Sequence, residues 1–307
     1  MPYFRLFSAQ LAIGAAAIFA RYALTGAGPL AVSALRLILA ALPLAVLALL
    51  ARPRVRLSRK REVAFALAGL ALALHFAAWI GSLLYTSVAI STLLVTTTPL
   101  FTESYDALVE RRIPGREYLV AVALAFAGVA LIASQHATPA PVPGQALLGN
   151  ALALGGAIAI AAYLLIVRSA GARPLSGPPL PTRQIVARTY GWAALVLTVL
   201  ALFTHQTPPP LGDAASWFGI LAMALVSQLL GHTALNAALR TFTPSVVSLT
   251  TLLEPLIAAL LAAALFREGL SLATIVGGAL VLAAVALTLR STNLPPLAGQ
   301  PPVANPG

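Results

Sequence analysis

The sequence predicts an all-α integral membrane protein with ten transmembrane helices, arranged as two inverted repeats of five helices each. Three observations predict this fold: ten long apolar stretches, an uneven distribution of basic residues, and a similarity between the two halves. Of the 307 residues, 60% are hydrophobic and only 9% are charged, whereas a soluble domain has about 25% charged residues. We therefore expect most of the surface to face the lipid bilayer instead of water.

Ten stretches have the length and apolarity of a membrane-spanning helix, which needs about 20 mostly apolar residues. Their apolar runs are continuous, and a bilayer offers an exposed backbone no hydrogen bonds, so we expect helices and not a β-barrel. The ten predicted spans, in chain order, are residues 6–24, 30–50, 63–85, 88–109, 118–134, 146–167, 185–203, 215–239, 244–266 and 272–289.

Proline-rich segments divide the chain. One of them lies near the middle and separates the fifth predicted span from the sixth. We assign residues 1–136 to the first five-helix repeat, 137–144 to a linker and 145–290 to the second repeat. Residues 291–307 are rich in proline and lack a hydrophobic pattern, so we expect a disordered cytoplasmic tail.

The basic residues predict the orientation, because cytoplasmic loops carry an excess of lysine and arginine. With a cytoplasmic N-terminus, all but three of the 19 basic residues fall at cytoplasmic ends of spans. The three exceptions, Arg21, Arg36 and Arg267, are assigned to the opposite side. We therefore expect both termini in the cytoplasm and the protein in a bacterial inner membrane.

The two halves of the sequence resemble each other. Residues 91–100 parallel residues 247–256, with Pro99 and Pro255 at matching places, and an arginine follows each proline at the same distance. Because each half has an odd number of spans, the second half enters the membrane from the opposite side. Inverted-topology repeats of this kind are a common plan of secondary transporters.

At these same places the sequence resembles the EamA-type members of the drug/metabolite transporter superfamily. The resemblance covers nearly the whole chain, up to Leu289. It implies ten helices, an inverted repeat and the export of small metabolites, often amino acids. The residues that carry it are the stretch 83–100 with Tyr85-Thr86-Ser87 and Pro99-Leu100, then Leu252-Leu253-Glu254-Pro255, Glu268-Gly269-Leu270-Ser271, Gly277-Gly278 and Leu287.

Prolines and carboxyl groups at membrane depth are candidate functional residues, because they are costly there. Pro99 and Pro255 fall near the middle of the fourth and ninth spans, and we predict that each is a hinge or a substrate contact; a packed structural kink is the alternative. Glu103 follows Pro99 by about one turn, and it faces a vestibule or pairs with neighbouring arginines. Glu254 precedes Pro255, and the alternative to a functional role is a protonated carboxyl group hydrogen-bonded within the bundle.

Polar residues share one face on each of two corresponding spans. Residues four apart lie on the same side of a helix, which predicts a polar face on the third span and another on the eighth. We expect these faces to oppose each other across a central cavity, although a buried histidine is often only a satisfied core residue. The predicted cavity residues are His75, Trp79 and Ser82, then Gln228, His232 and Asn236, with Tyr105 and Tyr163 as aromatic walls.

These features predict a secondary transporter that exports small metabolites, most of all amino acids, by alternating access. A passive channel or a membrane-embedded enzyme is the alternative. The chain has no cysteine, which excludes thiolate metal sites and cysteine nucleophiles. We predict no metal, no cofactor and no enzymatic activity. No Gly-x-x-x-x-Gly-Lys-Ser/Thr motif for ATP is present.

The expected partners are a small-molecule substrate and the lipid bilayer. Nucleic acid is not expected, because the basic residues sit at the ends of apolar runs instead of forming one basic face. The oligomeric state is open, with a monomer favoured. A mostly apolar cavity with a few polar groups suits a substrate that has one polar and one apolar end, so we predict a preference for apolar or aromatic amino acids. The alternative is that the aromatic residues only pack helices and the cavity takes many small solutes.

Overall fold

The structure is a computed structural model, and it describes residues 2–50, 57–111, 113–135, 142, 144–172, 178–266 and 271–291. Within these residues the chain forms helices and loops and no strand. Most of the predicted linker at 137–144 and all of the predicted tail after residue 291 lie outside the described part. So do Arg267 and the segment that begins at Glu268.

Fourteen α-helices and three segments of other helical winding make up the described fold. The α-helices are α1 (Pro2–Gly14), α2 (Ala16–Ala23), α3 (Pro29–Leu50), α4 (Arg59–Ser82), α5 (Val88–Val95), α6 (Thr98–Glu110), α7 (Arg116–Gln135), α8 (Ala146–Val167), α9 (Thr182–Phe203), α10 (Ala214–Ala222), α11 (Thr233–Ala238), α12 (Pro244–Thr250), α13 (Glu254–Phe266) and α14 (Leu272–Ser291). Two π-helical segments, Arg168–Ala172 and Met223–His232, extend α8 and join α10 to α11, and a 3₁₀ turn at Thr251–Leu253 joins α12 to α13.

Nine helical stretches of the described chain are long and apolar enough to cross a bilayer. They coincide with nine of the ten predicted spans. The fourth predicted span is divided into α5 and α6, and neither piece alone has the length that a spanning helix needs. The protein is therefore a multi-pass membrane protein, and the count of ten spans stays a prediction.

The break between α5 and α6 follows from a proline. Pro99 is the second residue of α6 and has no amide hydrogen to donate to the carbonyl of Val95. The Thr98 hydroxyl donates to that carbonyl instead, at 2.8 Å, and the Thr97 hydroxyl donates to the carbonyl of Leu94 at 2.7 Å. The Thr98 hydroxyl therefore satisfies the carbonyl that the proline frees, as helices in lipid require.

A corresponding break occurs in the second half. Pro255 is the second residue of α13, and the chain before it winds into the 3₁₀ turn. There the amide of Glu254 donates to the carbonyl of Thr251, while the Thr251 hydroxyl donates to the carbonyl of Ser248 at 2.7 Å. The two prolines thus interrupt equivalent helices at equivalent places.

The halves pack through equivalent helices. The second helices of the halves, α3 and α9, lie along each other, and so do the last helices, α7 and α14. The third helix of the first half, α4, packs on α8, and the stretch Ala214–Ala238 packs in the same way on Tyr3–Ala23. This exchange of partners is the packing of two repeats related by an approximate twofold axis.

Glycines allow the close contact between α7 and α14. A Cβ added at Gly128 would lie 2.5 Å from the carbonyl oxygen of Gly277, and a Cβ added at Gly277 would lie 2.6 Å from that of Gly128. Real Cβ atoms do not approach a backbone oxygen so closely. Each helix therefore needs a residue without a side chain at this point, as is common where helices pack in membranes.

The outside of the bundle is apolar. Many leucine, valine and phenylalanine side chains stay exposed on the outer faces of the helices, among them Leu108, Leu147, Leu202, Phe203 and Leu230. Exposed apolar surface of this extent marks a contact with lipid or a partner. Together with the nine apolar helices, it indicates that lipid surrounds the bundle.

Candidate functional site

A cavity of about 50 Å³ lies between the two halves. This volume holds a few water molecules and is smaller than the pockets of about 300–1,000 Å³ that bind organic ligands. An organic ligand therefore needs the walls to move apart. The lining residues are Ile13, Ala16, Arg36, His75, Phe76, Trp79, Val95, Thr96 and Thr98 from the first half, and Ile160, Leu164, His232, Leu235, Thr251 and Glu254 from the second.

Arg36 is a cavity residue that the sequence analysis placed wrongly. We assigned it to the end of a span, opposite the cytoplasm. However, α3 begins at Pro29, so Arg36 lies about two turns, or about 10 Å, inside the helix. Its side chain is fully buried, with 0% exposure. The signal that could have found it was a basic residue well inside an apolar stretch, which is a functional candidate by itself.

The guanidinium group of Arg36 is only partly satisfied. Its Nε donates a hydrogen bond to Oε1 of Gln228 at 3.0 Å, and its central carbon lies 4.0 Å from the centre of the Phe76 ring. The nitrogens Nη1 and Nη2 are buried and have no hydrogen-bond partner in the described part of the chain. A buried cation normally pairs or bonds through all of its donors, so two unused donors on Arg36 require an explanation.

Two predicted residues on α4 form one wall of the cavity. His75 Nδ1 lies 2.9 Å from the carbonyl oxygen of Gly156, and because a carbonyl only accepts, this nitrogen carries a proton. The imidazole ring stacks on Trp79 with ring centres 6.3 Å apart and an angle of 6° between the planes. Trp79 Nε1 is buried and also lacks a hydrogen-bond partner among the described residues.

The second half contributes His232 and Glu254 to the cavity. The His232 ring meets Phe76 edge to face at 5.4 Å, and its Nδ1 is buried without a hydrogen-bond partner in the described part of the chain. Glu254 stands partly exposed at the wall. It makes no hydrogen bond with Nη1 or Nη2 of Arg36, which have no partner in the described part of the chain. The structure thus places His75, Trp79, His232 and Glu254 around one cavity.

Four other predicted residues lie behind the wall and support it. Gln228 holds Arg36. The Tyr163 hydroxyl donates to Oδ1 of Asn236 at 2.8 Å, and the Asn236 amide donates to the carbonyl of His232 at 2.7 Å. Ser82 donates to the carbonyl of Trp79 at 2.6 Å and shares a hydrogen bond of 2.6 Å with Ser91. These residues are buried and are not part of the cavity lining.

The remaining four predicted residues are not cavity residues. Pro99 and Pro255 lie at the helix breaks, and the carbonyl of Pro99 accepts a hydrogen bond from Tyr118. Glu103 is buried on α6. Tyr105 was expected to form an interior wall, but its side chain is 51% exposed. The prediction for Tyr105 is wrong because of its position around the helix. Tyr105 lies on the outer face of α6 with other exposed residues, away from buried Thr102 and Glu103.

Hydrogen bonds also join the halves between α6 and α12. The hydroxyl groups of Thr102 and Ser248 are 2.8 Å apart, and Ser245 donates to Oδ2 of Asp106 at 3.0 Å. Thr102 and Asp106 follow the break at Pro99, Ser245 and Ser248 precede the break at Pro255, and none of the four lines the cavity. They connect the halves through the parts of the broken helices that would have to separate if the halves moved.

A family model described as the EamA-like transporter family matches the chain twice, over residues 2–134 and 147–290. The chain belongs to the EamA-like transporter family. Each match covers one half, so each half is one copy of the family's repeat. This confirms the resemblance seen in the sequence, and the cavity of this EamA-like transporter lies where its two repeats meet.

Other comparisons support the fold alone. One solved crystal structure, whose description states no function, is similar to this EamA-like chain with a TM-score of 0.76. The similarity covers 94% of this chain and 96% of the other, at 16% sequence identity. A comparison with curated proteins gave no match. The family therefore supports a transporter, while the substrate has to be argued from the cavity.

Three cavity threonines were also missed by the sequence analysis. Thr96 and Thr98 line the cavity beside the break before Pro99, and Thr251 lines it at the break before Pro255. Their hydroxyl groups bond to backbone carbonyls one turn earlier. The signal was their position next to the prolines, where hydroxyl side chains satisfy freed carbonyls.

Proposed function

We propose that this EamA-like transporter is a secondary transporter that exports small metabolites, amino acids above all, by alternating access through the cavity. The observation that carries the proposal is the cavity itself, because both repeats contribute residues to it. Repeat-based transporters bind their substrates at such an interface and expose the site to each side in turn by rocking one repeat against the other.

The chemistry of the lining supports a substrate with a polar and an apolar end. Arg36, His75, His232 and Glu254 supply polar groups, while most other wall residues are aliphatic, aromatic or small. The stacked rings of His75 and Trp79, with Phe76 next to them, offer faces for an aromatic group. We infer a preference for amino acids with apolar or aromatic side chains.

The orientation belongs to the same proposal. We propose ten spans in two inverted repeats, with both termini in the cytoplasm of a bacterial cell and the protein in its inner membrane. The position of Arg36 strengthens the orientation argument, because a buried arginine is not counted among the basic residues on either side of the membrane. Only Arg21 and Arg267 of the basic residues then lie on the side opposite the cytoplasm.

A flux assay tests the proposal. The purified protein is reconstituted into liposomes and the flux of labelled amino acids and other small metabolites is measured, with and without an imposed pH gradient. We expect saturable flux of at least one apolar or aromatic amino acid above protein-free liposomes. Flux of other metabolites without any amino acid would overturn the substrate class, and flux that does not saturate would favour a passive channel.

A further inference from the structure

The polar groups of the cavity include hydrogen-bond donors without an acceptor. Nη1 and Nη2 of Arg36 and Nε1 of Trp79 are buried and have no partner in the described part of the chain. An arginine and a tryptophan side chain can only donate. These three nitrogens therefore have no acceptor in the described part of the chain, and they fit a ligand that brings acceptors.

A purely structural role does not account for the unused donors. Arg36 is held in place through Nε by Gln228 and through its face by Phe76. The two nitrogens without a partner are Nη1 and Nη2. They lie side by side and match the two oxygens of a carboxylate. An arginine held by one edge with its bidentate edge unused has the geometry of a receptor for an anion.

Glu254 limits which anion fits. It lines the same cavity and makes no hydrogen bond with Nη1 or Nη2 of Arg36 in the described conformation. In its ionised form Glu254 would repel a simple carboxylate bound at Arg36. A zwitterion avoids this repulsion, because its ammonium group can lie toward Glu254 while its carboxylate lies toward Arg36.

We propose that Nη1 and Nη2 of Arg36 bind the carboxylate of the transported substrate and that Glu254 receives its ammonium group, which makes the cavity a receptor for free α-amino acids. The proposal rests on the transport function inferred above and names the atoms that select the substrate. In the described conformation both nitrogens are covered. The widening that admits an amino acid also uncovers them.

Substrate analogues test this assignment on the unaltered protein. In proteoliposomes, uptake of labelled phenylalanine and of labelled threonine is measured against three unlabelled competitors for each: the amino acid, its carboxamide and its deaminated acid. We expect the carboxamide to compete at least about 10-fold more weakly than the parent, because it loses a charge-assisted bidentate contact. The deaminated acid should also compete more weakly.

Variants of Arg36 and Glu254 test whether these two residues cause the differences between the substrate analogues. Arg36→Gln should reduce the difference between parent and carboxamide to within about 2-fold, and Arg36→Lys should restore part of it. Glu254→Gln should reduce the difference between parent and deaminated acid in the same way. Arg188 is the matched control: it is an arginine within α9, bonded to Glu62 at 3.4 Å and not at the cavity, so Arg188→Gln should keep both differences.

The outcomes separate this inference from the proposed function. If the unaltered protein transports neither the two probes nor any other amino acid, the proposed function fails and this assignment fails with it. If it transports an amino acid but the carboxamide competes equally well, the function stands and the Arg36 assignment is wrong. The analogue comparison on the unaltered protein decides the question even if the Arg36 variants do not fold.

Discussion

Arg36 organises the polar side of the cavity. A charged group that is fully removed from water costs several kcal/mol unless neighbours compensate it. Here the neighbours are an amide oxygen of Gln228 and the face of Phe76. The compensation is incomplete, and Arg36 lines a cavity to which both repeats contribute. At the scale of single side chains, this combination is the basis of the proposal that Arg36 binds the substrate.

Trp79 should determine how well aromatic substrates are transported. Its indole lies in the cavity wall, stacked on His75, and an aromatic contact contributes about 0.5–1.5 kcal/mol beyond the burial of surface. We expect Trp79→Ala to weaken transport of phenylalanine about 2- to 10-fold more than that of threonine, measured as kcat/KM in proteoliposomes. Tyr105→Ala is the control, because that ring is exposed on the outer face of α6.

Equal losses for phenylalanine and threonine in the Trp79 variant would remove the support for an aromatic preference. The wall would then serve only to pack helices, and the cavity would accept small solutes of many kinds. An effect of Tyr105→Ala as large as that of Trp79→Ala would contradict the assignment of the cavity wall.

At the scale of helices, the proposed alternating access would use the two proline breaks as the places where the helices change angle. At the first break the Thr98 hydroxyl takes the place of the missing backbone bond to Val95, and at the second the Thr251 hydroxyl adds a bond to the carbonyl of Ser248. Both breaks contribute threonine to the cavity lining. A helix in two pieces can change its angle at the break with little loss of bonding. A change in the packing of α6 against α12 would therefore also move the threonines that line the cavity at the breaks.

Removing a break should slow transport more than it weakens binding. In Pro99→Ala the new amide can donate to the carbonyl of Val95, so α5 and α6 can join into one straighter helix. We expect the transport rate to fall several-fold while substrate binding, measured by competition, stays within about 2-fold. Pro43→Ala is the control, since Pro43 lies inside α3 without a break. An unchanged rate in Pro99→Ala would favour a purely structural kink.

The contact between α7 and α14 should resist any added side chain. Gly128→Ala would place a methyl group 2.5 Å from the carbonyl of Gly277, and such overpacking costs about 1–3 kcal/mol. We expect a lower melting temperature for the detergent-solubilised variant. Gly191→Ala is the matched control, because nothing lies within 4 Å of a Cβ there, and an alanine in place of a helical glycine should leave stability equal or slightly higher. A melting temperature of Gly128→Ala at or above that of the unaltered protein would contradict the packing.

The helices, and the polar faces of α4 and of the stretch Ala214–Ala238, could be predicted from the spacing of residues in the sequence. Apolar length located the spans to within a few residues, and the four-residue spacing identified His75 and His232, which the structure places at one cavity. The place of Arg36 was harder to predict. The predicted span 30–50 already put this arginine inside the helix, but the orientation argument counted it with the basic residues at span ends. The outward position of Tyr105 depends on the break before α6. Because the helix is interrupted there, the side-chain directions on α6 do not continue the pattern of α5.

At the scale of the whole molecule, the two repeats meet through equivalent helices and enclose the cavity between them. Contacts of α6 with α12 connect the halves on one side of the helix breaks, through Thr102, Asp106, Ser245 and Ser248. A rocking motion of one repeat against the other has to break or form these hydrogen bonds. The proposed mechanism would use the cavity as the site, the two proline breaks as hinges and the contacts between α6 and α12 as the part that opens.

The orientation of the repeats is testable in cells. Reporter fusions after Thr138 and after Pro179 are separated by one predicted span, so we expect them to report opposite sides of the membrane, with the fusion after Pro179 in the cytoplasm. Enzymatic reporters that are active on only one side of the membrane provide the readout. Two reporters on the same side would contradict the inverted arrangement.

Counterflow is the most direct test of the central claim that this protein carries amino acids by alternating access. Proteoliposomes are loaded with unlabelled phenylalanine, diluted into a trace of labelled phenylalanine, and followed over time. A carrier that exposes one site to each side in turn accumulates the label transiently above its external concentration, and we predict this overshoot for the unaltered protein and a much smaller one for Arg36→Gln. Label that only equilibrates, without an overshoot and with no dependence on the internal amino acid, would contradict the account.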